Sequence, residues 1–143
     1  MPYSFIEGIT FADTAFEAWG RDLEETFRSA SDATMNVMVE DLDSIQPKEK
    51  REISIEHDAL DLLLFNFLQE FIYYKDSEQL LLRVSEIIIQ KNNSHYTLKT
   101  TALGEQIDPS HHRMRVDVKA VTLHRFSLEE TDRGWKTTVI LDI

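Results

Sequence analysis

Apolar residues recur at three- and four-residue steps in two stretches of the chain and alternate with polar ones in most of the remainder. From Asp22 to Met38 the repeat is Leu23, Phe27, Ala30, Thr34 and Val37–Met38, which predicts an amphipathic helix. Asp22, Glu24 and Glu25 sit in its first turn, where the helix dipole favours anions. From Asp58 to Lys75 the apolar set Leu60, Leu63, Leu64, Phe67, Leu68, Phe71 and Ile72 covers a broader face, the pattern of a helix laid on a sheet. Tyr3 to Glu7 and Thr14 to Trp19 read as short strands joined by a loop over 8–13, with Gly20 as a stop. Glu52 to Glu56 alternates charge with Ile53 and Ile55, a half-buried strand. Leu80 to Gln90, Thr97 to Leu103, Val116 to Leu128 and Trp135 to Ile143 complete the strands. Asn92-Asn93-Ser94 and Asp132-Arg133-Gly134 carry hairpin turn chemistry. Asp41-Leu42-Asp43-Ser44 reads as an acidic loop before the break at Pro47. Helices early and strands late, without strict βα alternation, predict an α+β fold. It is a single domain, 1–143, in which a mostly antiparallel β-sheet packs with two long helices.

The last predicted strand ends unusually. Val139, Ile140, Leu141 and Ile143 are apolar, so the segment reads as built into the sheet, with Asp142 one residue before the terminus. A side-chain carboxylate and the terminal carboxylate then lie on adjacent residues near the core. Such a pair repels unless a proton, a basic side chain or a hard cation lies between.

Composition narrows the function classes. A length of 143 residues with 42% hydrophobic and 10% aromatic content suits one globular core. The formal net charge of −11 argues against gripping a phosphate backbone directly, and suits cations or a basic partner surface. Without cysteine, disulfides, thiolate zinc sites and thiol nucleophiles are excluded. The N-terminus lacks a signal peptide's basic start and long apolar stretch, and the densest apolar run, Ala59 to Tyr74, is broken by Asp61, Asn66, Gln69 and Glu70. A cytoplasmic location is the simplest expectation.

No Gly-rich phosphate loop, GxSxG elbow, HExxH or EF-hand pattern is present. Of the five histidines, His57 precedes the second helix and is placed to serve its N-terminus. His111 and His112 look like a metal pair, but neighbours on a strand face opposite ways, and a solvated loop is the simpler reading. His124 is expected at a sheet surface. Among the acids, Asp13, Asp41 and Asp43, and Asp142 with the terminal carboxylate come from separate loops and ends, which is how hard cations collect oxygen ligands. Most of the 26 acidic residues must nevertheless be solvated surface charge. Lys119 stands in a β-branched run, either guarding an edge strand or balancing carboxylates.

Taken in order, these residues resemble the archease family, small proteins that assist the RNA-splicing ligase in tRNA maturation. The matching pieces are Phe5-Ile6-Glu7 leading into Ala12-Asp13-Thr14-Ala15-Phe16-Glu17-Ala18-Trp19-Gly20, the helix opened by Leu23-Glu24-Glu25-Thr26-Phe27, and Leu62 to Leu68. Gly104-Glu105-Gln106-Ile107-Asp108-Pro109 with His111-His112, Val118-Lys119-Ala120-Val121-Thr122-Leu123-His124, and Trp135-Lys136 through Val139 to Ile143 complete the set. One departure is the stretch 8–13, which lacks the histidine of the His-Thr-Ala-Asp run found in many members. The resemblance implies a metal site at Asp13, Asp142 and Ile143. It also implies a role for Lys119 in activating the ligase, with Asp43 as an adjacent contributor. The implied cofactor is a divalent cation, Ca²⁺ first, with Mg²⁺ or Mn²⁺ open because oxygen-only ligands suit all three. The expected function is a non-enzymatic accessory role that promotes metal-dependent guanylylation and multiple turnover of a tRNA-splicing RNA ligase. That partner is a protein; no direct nucleic-acid binding and no membrane are expected. A chaperone-like interaction module and a stand-alone metal-dependent hydrolase are the alternatives.

Overall fold

The first helix, α1 (Leu23–Met38), begins where the Asp22 carboxylate accepts the Glu25 backbone N–H at 2.8 Å, a side-chain cap for an otherwise orphaned donor. Thr26, Ser29 and Thr34 are buried in it, and each hydroxyl donates to the carbonyl four residues earlier at 2.8 to 2.9 Å. Those local bonds remove the cost of burying hydroxyls. Together with Ala30 and Ala33 they leave α1 slim. The second helix, α2 (Leu60–Glu78), is built differently: Leu63, Leu64, Phe67, Leu68 and Phe71 are all buried. The Phe67 ring lies 5.6 Å from Phe27 of α1 and 5.1 Å from Phe71. At its start the Ala59 N–H donates to His57 Nδ1 at 2.9 Å, the service expected of that histidine. The helix runs on past Lys75 to Glu78 and stops at Gln79 in a left-handed conformation (φ 52).

This architecture comes from a computed structural model that describes residues 2–7 and 13–143. Of the loop expected at 8–13, residues 8–12 lie outside them and Asp13 is in a strand. The strands form two antiparallel sheets. One contains β1 (Tyr3–Ile6), β2 (Asp13–Gly20), β6 (Ala120–Thr131) and β7 (Gly134–Asp142) in the order β1-β2-β7-β6. The other contains β3 (Glu49–His57), β4 (Leu80–Asn92) and β5 (His95–Gln106) in the order β3-β5-β4. α1 packs on β2, β7 and β4, whereas α2 packs on β3, β4 and β6, so each helix bridges the two sheets over one shared core. The α+β expectation holds, with two sheets where the strand pattern alone suggested one. No helix among the described residues is long and apolar enough to cross a membrane.

Two segments depart from the sequence reading. Asp41–Ser44 is not a plain loop: Leu42–Ser44 is a 3-10 turn whose start is capped by Asp41, which accepts the Asp43 N–H at 3.0 Å. The strand expected from Val116 begins at Ala120 instead. Its preceding backbone is engaged elsewhere, because Arg115 N–H donates to Met38 at 2.8 Å and the Val118 carbonyl accepts from Lys75 at 2.9 Å. Both hairpins close as expected, through Asn93 (φ 60) and through Asp132–Arg133 before Gly134.

Phe67 is fully buried and in ring contact with Phe27 of α1 and Phe71 of α2, so its loss would leave a cavity between the helices. Phe67→Ala is expected to lower unfolding free energy by about 3–5 kcal/mol. Urea titration should show a lower midpoint with an unchanged slope.

Candidate metal-binding and partner-contact site

The pairing of β2 with β7 sets Asp13 directly opposite Asp142, and β6 adds Ala120 on the far side of Asp142. Cross-strand partners share one face of a sheet with Cβ atoms about 5 Å apart. Two carboxylates from opposite ends of the described chain are therefore held side by side, each partly exposed to water. Like charges so placed are destabilising unless a cation joins them. Asp13 also lines a depression of about 480 Å³ with Glu7, Thr14, Arg115, Val116 and Ile143. Ile143 is half-buried and follows Asp142, so its main-chain oxygen lies one residue from that carboxylate. The donor set is oxygen only, which fits a hard divalent cation better than a soft one.

Lys119 touches this region through its backbone. Its N–H donates to the Asp142 carbonyl at 2.8 Å, while its exposed side chain lines a separate depression of about 550 Å³ with Asn66, Gln69, Glu70, Tyr73 and Asp76. The ammonium makes no ion pair among the described residues. Burial pushes the Glu70 carboxyl above its ordinary value in the same depression. Lys75 holds the approach to Lys119: its buried ammonium bonds Asp76, Asp117 at 2.6 Å and the Val118 carbonyl at 2.9 Å. Desolvation would depress that amine, but its two carboxylate partners outweigh it and raise its pKa. Asp43 lines a depression with Asp41, Leu42 and Arg83. It is exposed and lies 3.3 Å from Arg83, which also binds Asp32 through two nitrogens at 3.2 Å.

The sequence reading missed a second cluster, and it placed His112 wrongly. His112 is buried, not solvated, and its Nε2 lies 2.7 Å from Glu105 Oε1. His111 Nε2 lies 3.3 Å from the same oxygen and Lys48 Nζ 3.4 Å from the other, while the Gln46 backbone N–H donates to Oε1 at 2.9 Å. The ligand atoms of Glu105, His111 and His112 fall within 4.8 Å of one another, close enough to hold a metal ion. The hydrogen bonds weigh against that use. Asp108 N–H donates to His112 Nδ1 at 2.9 Å, so the ring proton sits on Nε2 and donates to Glu105. Metal at Nε2 requires that proton to leave, and Nδ1 cannot take it while an N–H points at it. The arrangement is a clasp tying the loop after β5 to the segment before β3. Burial alone would raise the Glu105 carboxyl, yet the Gln46 N–H, His112 and Lys48 together bring it down to about 2. Only the closeness of Glu105 and His112 within one matching segment could have hinted at it; the partners Gln46 and Lys48 are remote in sequence.

The model of the Archease protein family (MTH1598/TM1083) matches residues 3–143. The chain belongs to the archease family. It is 36% identical over 133 residues to Protein archease of Pyrococcus abyssi, covering 92% of this chain and 93% of that one. It is 33% identical over 144 residues to Protein archease of Methanosarcina acetivorans, covering 99% and 95%. The solution structure of protein 1598 from Methanobacterium thermoautotrophicum superposes with a TM-score of 0.85 at 33% identity, over 99% of both chains. A Thermotoga maritima crystal structure described as "an archease, possible chaperone" shares the fold, with a TM-score of 0.59 at 19% identity over 96% and 97%.

The clasp makes stability depend on pH. The folded pKa of Glu105 lies below its unfolded value of 4.5, so its contribution is complete above that pH and is lost as pH falls towards about 2. Glu105→Gln is expected to lower the thermal midpoint at neutral pH and to lose less stability than the parent chain as pH falls from about 5 to about 2. An equal acid slope in both proteins would remove Glu105 from that role.

Proposed function

We propose that this chain assists a tRNA-splicing RNA ligase, promoting its metal-dependent guanylylation and multiple turnover, and that Asp13, Asp142 and the main-chain oxygen of Ile143 hold a divalent cation for that purpose. The reading rests on the cross-strand pairing of Asp13 with Asp142 in a family member, a like-charge juxtaposition for which a cation gives a physical reason. When bound, Ca²⁺, Mg²⁺ or Mn²⁺ there would neutralise the carboxylates and leave room for a partner's anionic groups. The chain's own residues supply the rest. Lys119, exposed and held by the Lys75 clamp on Val118, offers a free ammonium to a phosphate or carboxylate of the ligase. Asp43 belongs to the docking surface. The net charge of −11 suits a basic RNA-binding protein as partner and a cytoplasmic setting.

The Thermotoga maritima protein's description favours a broader chaperone-like role as the second reading. A lone hydrolase is less supported, because His57 and His112 are both committed to structural hydrogen bonds.

Asp13→Ala and Asp142→Ala are each expected to abolish stimulation of ligase guanylylation and multiple-turnover joining while the fold persists, and to lose calorimetric Ca²⁺ binding. Full stimulation by both folded variants overturns the carboxylate site; suppression of partner aggregation by both would move the chaperone reading ahead.

A further inference from the structure

Both tryptophans of the chain, Trp19 and Trp135, line a single depression of about 450 Å³. It lies at the other end of the β2–β7 pair from the aspartates. Trp19 faces Lys136 and Gly20 faces Trp135 in register, seven positions along β2 from Asp13. At about 3.3 Å per residue that is roughly 23 Å. Arg21, Arg133 and Lys136 share the depression with Glu17 and Glu25, so a strongly acidic chain gathers an excess of cations here. Two of these cations are braced: Lys136 Nζ lies 2.6 Å from Glu17 and Arg21 Nη2 lies 3.1 Å from Glu25. The Arg133 guanidinium makes no ion pair among the described residues. Trp19 is 41% exposed, a large apolar face left open beside these charges.

The groove is held open by backbone contact. Gly134 has φ 140 and sits so close to β2 that a Cβ there would meet the Gly20 carbonyl oxygen at 2.1 Å. Only glycine permits that approach, and it carries the Arg133 turn and Trp135 against Arg21. The depression is thus preformed, and its size falls in the range of small-ligand pockets.

We propose that this groove binds a nucleoside phosphate, with the exposed Trp19 indole stacking the base and Arg133, aided by Arg21 and Lys136, taking the phosphate. Indole faces are sequence-tolerant platforms for bases, and guanidinium groups match phosphate oxygens in geometry and charge. A basic peptide is the poorer fit, because both carboxylates in the groove already hold cations. Free nucleotide and the phosphorylated end of an RNA strand present the same chemistry. The site is independent of the aspartate pair, so Asp142→Ala is expected to bind nucleotide normally whatever becomes of the ligase reading.

Both reporters sit in the groove, so intrinsic tryptophan fluorescence at low salt follows binding directly. AMP and GMP are expected to quench it saturably, with adenosine and inorganic phosphate each at least about tenfold weaker. Arg133→Glu, and Trp19→Ala with Trp135 still reporting, should each weaken binding by about tenfold or more while circular dichroism stays unchanged. A 5′-phosphorylated tetranucleotide that binds more tightly than AMP assigns the site to strand ends; equal or weaker binding assigns it to free nucleotide. No saturable change, phosphate alone binding as tightly as nucleotide, or unaltered affinity in both variants overturns the proposal.

Discussion

β7 runs down the middle of the four-stranded sheet, and its register against β2 decides where the functional side chains stand. Because side chains alternate faces along a strand, a slip of one residue would carry Asp142 to the opposite face from Asp13 and bring Leu141 out of the core. Burial of Val139 and Leu141 on the inner face therefore fixes the position of an aspartate on the outer one. The same ladder places Trp19 beside Lys136 at its far end. One strand pair thus holds two chemically opposite surfaces, carboxylates at one end and an exposed indole with cations at the other.

Two charged groups taken into the body of the protein do related work. Lys75 and Glu105 are both buried, and each is saturated with partners, as burial of charge demands. Lys75 satisfies the Val118 carbonyl, which has no sheet partner, and so holds the irregular segment leading to Lys119. Glu105 ties the loop carrying His111 and His112 to Gln46 and Lys48. In both places the buried charge orders a stretch of chain that has little regular structure of its own. The cost is sensitivity: removing one partner leaves the other desolvated without compensation.

Family membership and geometry bear on different parts of the functional account. The match over residues 3–143 establishes what kind of protein this is. The register adds a geometric fact to that kinship: two aspartates from distant parts of the chain stand opposite one another across β2 and β7. The Glu105 cluster shows why proximity of ligand-type residues is not sufficient. Its atoms are close enough for a metal, yet a single backbone N–H at His112 Nδ1 commits the ring to a hydrogen bond instead.

Local periodicity carried the elements. The steps of Leu23 to Met38 and Leu60 to Ile72, the alternation around Ile53 and Ile55, and the turns at Asn93 and Gly134 each depend on neighbours within a few residues, which is the range over which burial pattern and backbone preference are encoded. The archease motifs extended that reading to Asp13, Asp142 and Lys119. Tertiary structure alone decided the rest: the division into two sheets, the late start of β6 at Ala120, the burial of Lys75 and His112, and the pairing of Asp43 with Arg83. Each of these turns on which remote backbone groups meet, as when Val118 finds Lys75 or Glu105 finds Gln46. Such meetings depend on strand register and helix placement across the whole core, and no short window of sequence contains them.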